Sequence, residues 1–302
     1  MGNYMKSSWT EYNKSLENRG SINFWFSPDA VRKWRAESSK KKGRPFVFSD
    51  NAILALLMIR FVYHLPFRQL VGFAKSLIGL LQLSLDMPHF TSIQKRMKKL
   101  TIPTKLLDKR GITDIVFDTS GLRVYSSGEW KKKKYGGKRR WRKIHLGINL
   151  RTKEIIFSKA TDEYVDDLTH IEKVLACCNR RKGDLLIDGI GDTHNLYKTV
   201  AKYNKKLLTP PRKGANPFKG DPFRRQSVRF IQLLGNDKDA RAIWAKLTGY
   251  SQRSHVERAF STWKRIFGEE LSSRTYETID SEIYVKSLIY NRIKSPQRLK
   301  HL

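Results

Sequence analysis

"TDIVFD" (residues 113–118) and "DLLID" (residues 184–188) are two short runs of Ile, Val, Leu and Phe, and each ends in an aspartate. Continuous apolar runs of this length read as buried β-strands, and an acid that closes one marks where the strand leaves the core. In α/β sheets that edge is the customary position of a site, which makes Asp118 and Asp188 candidate functional carboxylates. Turn chemistry is the competing reading, since Asp188-Gly189 is a good turn dipeptide and Asp192 or Thr193 a good helix cap. Working outward, "KIHLGINL" (143–150), "EIIFSKA" (154–160) and "KKLLT" (205–209) also read as strands, while "DDLTHIEKVLACCNR" (166–180) and the segment from Thr193 read as helices. Asp166 and Asp167 read as helix-start residues. The expectation is a mixed α/β sheet over residues 106–302, with a basic insertion at 209–248.

A third carboxylate stands in "YSQRSHVERAFSTWK" (250–264). At about 100° per residue, Tyr250, Arg253, Glu257 and Lys264 fall on one helical stripe about 60° wide. Val256, Ala259, Phe260, Trp263 and Phe267 form the apolar face beside it. An ordinary i,i+4 ion pair between Arg253 and Glu257 would account for this stretch taken alone. Taken with the strand ends, Glu257 is the last of three acids spaced 70 and 69 residues apart, two on strands and one on a late helix. A ribonuclease-H-like metal site needs that order. Hard oxygen ligands suit Mg²⁺ or Mn²⁺, and two such ions about 4 Å apart clamp the attacking and leaving oxygens of a phosphoryl transfer.

The charge balance narrows the partner class. Lys and Arg number 60 against 28 Asp and Glu, a net charge of +32 over 302 residues. That excess opposes compaction and favours polyanions, while 39% hydrophobic content places the chain among folded proteins. The two cysteines, Cys177 and Cys178, are adjacent and make neither a zinc pattern nor a disulfide framework. The amino terminus shows no apolar signal region, and "AILALLMIRFVYHL" is interrupted by Arg60 and short for a bilayer span. A cytoplasmic protein without a membrane role is expected.

Residues 1–105 read as helical. Ser27-Pro28 opens "PDAVRKWRAE", Ser49 or Asp50 caps "NAILALLMIRFVYHL", "FRQLVGFAKSLIGLLQL" follows, and Thr91 caps "SIQKRMKKL". Short helices ending in a basic one are compatible with a helix-turn-helix and equally with a plain helical bundle. Further on, "KKKKYGGKRRWRK" (131–143) holds nine Lys/Arg in thirteen residues and no acid. Lys131, Lys132, Lys133, Lys134, Arg139 and Arg140 would track phosphates, with Trp130, Tyr135 or Trp141 stacking on an unpaired base, or the aromatics would fold back onto the sheet. "TPPRKGANPFKGDPFRRQ" (209–226) reads as an irregular, mobile, basic loop, and His145 and His194 as structural histidines.

The stripe Tyr250, Arg253, Glu257, Lys264 fits the spacing Y-x₂-R-x₃-E-x₆-K of bacterial DDE transposases of the insertion-sequence 4 and 5 superfamily. "FDTSGLRVYSSGEW", "WRKIHLGIN", "DGIGDTHNLY" and "PPRKGA" resemble the 903-like group of insertion-sequence family 5. The resemblance implies a ribonuclease-H-like catalytic domain, two Mg²⁺ ions with Mn²⁺ as a substitute, and double-stranded DNA with terminal inverted repeats as substrate. By position, Asp118, Asp188 and Glu257 match the catalytic, metal-binding triad, and Tyr250, Arg253 and Lys264 match residues that hold the transposon-end backbone. Gly191 is a departure, because relatives often carry tyrosine in a "DGAYDT" string there; a glycine is expected to loosen the turn after Asp188.

The implied activity is cleavage of transposon ends by metal-dependent hydrolysis, then joining of the 3′-OH ends to target DNA. A homo-oligomer on DNA, within the bacterial cytoplasm and associated with the nucleoid, goes with it. A nuclease of the same fold without strand transfer, and a decayed transposase that only binds DNA, stay open at this point.

Overall fold

In the computed structural model the described residues are 28–37, 45–100, 114–124, 141–176 and 183–294, with isolated positions 9, 13, 17, 26, 43 and 134. The chain divides into two compact units, one of residues 1–103 and 275–302, the other of residues 104–274.

Among its described residues the first unit is helical. Helices α1 (Pro28–Arg32), α2 (Asp50–Val62), α3 (Phe67–Leu80) and α4 (Phe90–Met97) are joined by α10 (Tyr276–Lys294) from the far end of the chain. Helix α2 is buried on nearly all sides, and Ser49 caps it by accepting from the Ala52 amide at 3.1 Å. Thr91 is not the cap of α4. His89 is, its ring accepting from the Thr91 amide, and the helix starts two residues earlier than the sequence suggests. Arg96, on the basic end of α4, is buried: it donates to the Phe48 carbonyl at 2.9 Å, pairs with Asp50 and lies over the Phe46 ring. Lys95, Lys98 and Lys99 remain exposed beside it. No single helix among the described residues is long and apolar enough to cross a membrane.

Helix α10 lies within the range expected for the catalytic domain, which ran to residue 302. It belongs to the first unit, burying Ile279, Ile283, Val285 and Ile289 against α2. Within it, Lys286 donates to Glu282 at 2.7 Å with both side chains out of solvent. A charge pair buried among apolar residues needs such close geometry and further partners, and Arg60 adds a second positive charge near Glu282.

The second unit is built on one sheet. Strands β1 (Ile115–Val124), β2 (Trp141–Asn149) and β3 (Ile155–Thr161) are antiparallel neighbours, while β4 (Gly183–Leu186) and β5 (Lys205–Leu208) run parallel to β1. The order across the sheet is β3-β2-β1-β4-β5, with β6 (Glu270–Leu271) pairing the far end of β1. This mixture of parallel and antiparallel strands is consistent with the ribonuclease-H-like domain expected. A turn of 3₁₀ helix (Asp167–His170), capped by Asp166, and α5 (Ile171–Ala176) precede β4; α6 (His194–Lys202), capped by Thr193, precedes β5. Ile115, Phe117, Leu185, Ile187 and Leu207 of the sheet meet Ile171, Val174, Leu196 and Val200 of these helices in one core. Cys177 and Cys178 lie outside the described residues.

The stretch after β5 is irregular only as far as residue 221. Asp221 accepts from the Phe223 amide at 2.8 Å and Pro222 takes the first helical position, which starts α7 (Pro222–Leu233). Helix α8 (Lys238–Thr248) follows and ends at Gly249, whose φ of 80° suits a left-handed cap. A 3₁₀ turn (Tyr250–Arg253) leads into α9 (Ser254–Phe267), which turns Val256, Ala259, Trp263 and Phe267 inward and packs against β1.

Candidate active site

Strands β1 and β4 are parallel and adjacent, with Ile115 opposite Leu185 and Val116 opposite Leu186. The chain continues from each into an aspartate at the same edge, two residues past those pairs. Asp118 does not end its strand as expected, because β1 keeps its pairing with β2 as far as Arg123; it lies within β1, opposite Leu146 of β2, and its Oδ1 accepts from the Thr119 amide at 2.9 Å. Asp188 follows β4 and caps a 3₁₀ turn (Gly189–Gly191), its Oδ1 accepting from the Ile190 amide at 3.1 Å. The turn reading of Asp188 holds, with Oδ1 as the cap, and the residue also stands just past the end of β4.

Arg253 joins this edge to α9. Its Nη2 lies 3.2 Å from Asp118 Oδ2 and its Nη1 lies 2.6 Å from Glu257 Oε1. The i,i+4 pair expected as the plain account of this stretch is present, but the same guanidinium also spans to β1. The Asp118 and Arg253 side chains are each 20% exposed, whereas Glu257 is 60% exposed.

The electrostatics place Asp188 and Tyr250 in the same cluster. Burial raises the Asp118 carboxyl above its usual range; the Thr119 amide and Arg253 oppose the rise, while Asp188 and Glu257 add to it. The Tyr250 phenol is pushed up to about 12 by burial, against the pull of Arg253 and with help from Asp188, Asp118 and Glu257. Three acids, one phenol and one guanidinium are thus close enough to feel one another. For Asp118 this proximity adds to the cost of ionisation that burial imposes, and the Arg253 cation opposes it.

Among the described residues no three His, Cys or carboxylate side chains lie in a geometry ready to hold a metal ion. The guanidinium of Arg253 spans Asp118 and Glu257. The donor set of Asp118, Asp188 and Glu257 is all oxygen and anionic, which fits a hard divalent cation once the guanidinium withdraws.

Tyr250 and Arg253 do not continue α9 as one helical stripe. They occupy the separate 3₁₀ turn after Gly249, which advances about 120° per residue, so the wheel at about 100° misplaces Tyr250. Lys264 lies on α9 two turns beyond Glu257, and among the described residues no hydrogen bond or ion pair draws it into the cluster. Trp141 opens β2 and is 39% exposed, with its ring lying across Gly121: a Cβ added there would come 3.4 Å from Trp141 Cε3. Lys134 is exposed; Lys131, Lys132, Lys133, Arg139 and Arg140, like Trp130 and Tyr135, fall outside the described residues.

His145 is fully buried on β2 between two hydroxyls, Thr119 Oγ1 at 2.9 Å and Thr161 Oγ1 at 2.6 Å. Burial, with His170 and Lys143 nearby and Asp167 opposing, lowers it to about 4, so it is a neutral structural histidine, as expected.

Two expectations about the neighbourhood of Asp188 are corrected. Gly191 does not loosen the turn: it is buried, and a Cβ there would meet Ile187 Cγ2 at 3.0 Å and Leu196 Cδ2 at 3.3 Å. The loop after β5 is not free either. Thr209 Oγ1 donates to the Asp188 carbonyl at 2.6 Å, the Arg212 amide donates to Asp192 Oδ2 at 3.0 Å, and Arg241 donates to the Pro211 carbonyl at 2.8 Å. Arg224 of α7 grips Asp192 with two bonds, Nε to Oδ1 at 2.6 Å and Nη2 to Oδ2 at 3.1 Å. Asp192 and Arg224 escaped the sequence reading because nothing local distinguishes an acid that caps a helix from one that receives an arginine 32 residues later.

Two family models, each described as Transposase DDE domain, match the chain, one over residues 17–127 and the other over residues 109–292. The second covers more than half of the chain and contains Asp118, Asp188 and Glu257. No solved structure matches.

Proposed function

The chain belongs to the transposase DDE-domain family, and from that premise we propose that it cleaves the ends of an insertion sequence and joins them to target DNA, with Asp118, Asp188 and Glu257 as the catalytic acids. The observation that carries this reading is the convergence of these acids with Tyr250 and Arg253 at one sheet edge. The finer placement, in the 903-like group of insertion-sequence family 5, rests on the motif resemblance.

Domains of this family are typically dependent on a divalent metal. We assign Mg²⁺, with Mn²⁺ as a substitute, to Asp118, Asp188 and Glu257; a pair of such ions supplies Lewis acidity and charge neutralisation for in-line phosphoryl transfer. The protein's own groups do the rest. Arg253, once it leaves the carboxylates, offers a planar fork to a phosphate oxygen of the transposon end. Tyr250, with a phenol that titrates only near 12, stays protonated and donates a hydrogen bond. Water displaces the 3′ oxygen at the transposon end, a P–O bond forming as another breaks, and the freed 3′-OH displaces an oxygen of the target strand in the same way. Lys264, Lys131, Lys132, Lys133, Lys134, Arg139, Arg140 and Trp141 are assigned to backbone contacts along the DNA, and the helices of the first unit to recognition of the inverted repeats. Bringing two ends together requires more than one copy of the chain on the DNA.

The test uses the protein, a labelled duplex ending in the inverted repeat that flanks its gene, and a supercoiled target. Wild type with Mg²⁺ should release 3′-OH ends and yield joined products. Asp118→Ala, Asp188→Ala and Glu257→Ala should each bind the end and cleave nothing. Cleavage at the wild-type rate in any of these variants removes that residue from the site. Cleavage without joined products reduces the protein to a nuclease, and binding without cleavage reduces it to a DNA-binding protein.

A further inference from the structure

The turn that carries Asp188 is held from outside itself. Asp188 caps the 3₁₀ turn (Gly189–Gly191) and Asp192 ends it, so the two acids are the two ends of a single short element. A turn of three residues cannot hold its own geometry, because such short helical pieces nucleate poorly. Its amino end is tied by the Thr209 hydroxyl on the Asp188 carbonyl and by the Gly191 amide on the same carbonyl at 3.0 Å. Its carboxyl end is tied by Asp192, a fully buried carboxylate that takes two bonds from Arg224 and one from the Arg212 amide. Arg224 is fixed in turn by the Lys219 carbonyl at 2.9 Å. Beside this clasp lies a half-open hollow of about 290 Å³ bordered by Asp192, Tyr197 and Arg224.

We propose that Asp192 and Arg224 are positioning residues for Asp188: the bidentate clasp fixes the far end of the turn whose near end presents the Asp188 carboxylate. Neither residue reaches the cluster of acids. Arg224 is spent on Asp192 and on loop carbonyls, and its charge raises no barrier at the site. Fixing a ligand on a three-residue turn by a charged pair on the far end limits its drift, and a displacement of about 1 Å at a catalytic group costs on the order of 100-fold in rate. The inference rests on Asp188 being a site carboxylate as proposed above.

The test compares wild type, Arg224→Lys, the neutral double variant D192N/R224Q, and Asp188→Ala as a control. Arg224→Lys keeps the charge and loses the fork, whereas the double variant removes both charges and leaves no buried carboxylate unpaired. Three readouts are taken well below the melting temperature: Mn²⁺ binding by titration calorimetry, hydrogen exchange of the amides of Ile190 and Gly191, and single-turnover cleavage. Both clasp variants should bind Mn²⁺ at least tenfold more weakly, exchange the two amides faster, and lose at least tenfold in kcat with KM for the DNA end unchanged. A purely structural clasp would lower the melting temperature and leave Mn²⁺ affinity, exchange at Ile190 and the cleavage rate at wild-type values; that outcome overturns the proposal. If Asp188→Ala itself keeps Mn²⁺ affinity and cleavage, then the assignment of Asp188 fails, and with it the premise. If Asp188→Ala fails while the clasp variants do not, the clasp alone is wrong.

Discussion

Arg253 Nη2 lies 3.2 Å from Asp118 Oδ2, a pairing that joins the start of α9 to β1 across 135 residues of sequence. The same guanidinium lies 2.6 Å from Glu257, so one arginine neutralises two of the three acids. A metal ion at the site proposed for Asp118, Asp188 and Glu257 would have to displace this guanidinium. Arg253→Gln should therefore bind Mn²⁺ several-fold more tightly than wild type in the absence of DNA, and still cleave more slowly because the phosphate fork is lost. Arg253→Lys should restore cleavage only in part. Calorimetry and single-turnover kinetics on the same samples check both limbs; unchanged Mn²⁺ affinity in Arg253→Gln refutes the competition.

Asp118 is held above the usual carboxylate range by burial and by its acidic neighbours, so its charge burdens the folded state when no cation beyond Arg253 is bound. The sign follows: a raised folded pKa means that the folded state binds the proton more readily, and the fold gains as pH falls through that pKa. Asp118→Asn removes the burden. Its melting temperature at pH 7.5 in chelator should equal or exceed that of wild type, while cleavage disappears. A marked drop in melting temperature would show that the pairing with Arg253 outweighs desolvation.

His145 should set a pH limit on stability. Its folded value of about 4 lies below the ordinary 6.5, so the unfolded chain takes up the proton first as pH falls. The contribution is complete above about pH 6.5 and is lost between there and about pH 4; by pH 5 the loss amounts to about 2 kcal/mol. Urea unfolding of wild type and His145→Gln at pH 7.5 and pH 5 separates this group from the carboxylates. The difference between the two proteins should shrink by that amount at the lower pH.

Gly191 packs so closely against Ile187 and Leu196 that a methyl group there would fit only if these side chains gave way by a few tenths of an ångström. Gly191→Ala should cost roughly 1–3 kcal/mol by overpacking and should impair cleavage through displacement of Asp188. Denaturant midpoints and cleavage rates report the two effects separately, and a stable, fully active alanine variant would show that the turn yields easily.

Binding of the transposon end should weaken steeply with salt, because each phosphate neutralised contributes about −0.9 to the slope of log K against log salt on duplex DNA. Replacing Lys131, Lys132, Lys133 and Lys134 by Gln should flatten that slope. A slope equal to wild type would assign the run to solvent.

Much of the second unit was legible from local pattern. Strands β1 to β3 carry runs of β-branched and aromatic residues, β4 and β5 are short and leucine-ended, and the amphipathic face of α9 repeats at helical period. Asp188 could therefore be placed at a strand end and Glu257 on a helix before any pairing was known; Asp118 could be placed on the right strand but not at its end, because β1 runs on to Val124. The caps at Ser49 and Thr193 were legible for the same reason, since a cap acts within three residues. The start of α7 was legible in principle from Asp221-Pro222, yet the surrounding glycines and prolines hid it.

What only the tertiary structure decided are the pairings between distant residues. Periodicity does not say that Arg253 reaches Asp118, that Arg224 reaches Asp192, or that α10 returns to the amino-terminal helices, because these depend on which surfaces meet after the chain has folded. Charge misled for the same reason: Arg96 counts toward +32 as a surface residue would, yet it is buried on Asp50 and Phe46. The sequence by itself determined which residue types could build an acidic site at a sheet edge. Long-range packing determined that an arginine sits between the acids, because the energy of a charge depends on its neighbours in space and not on its neighbours in the chain.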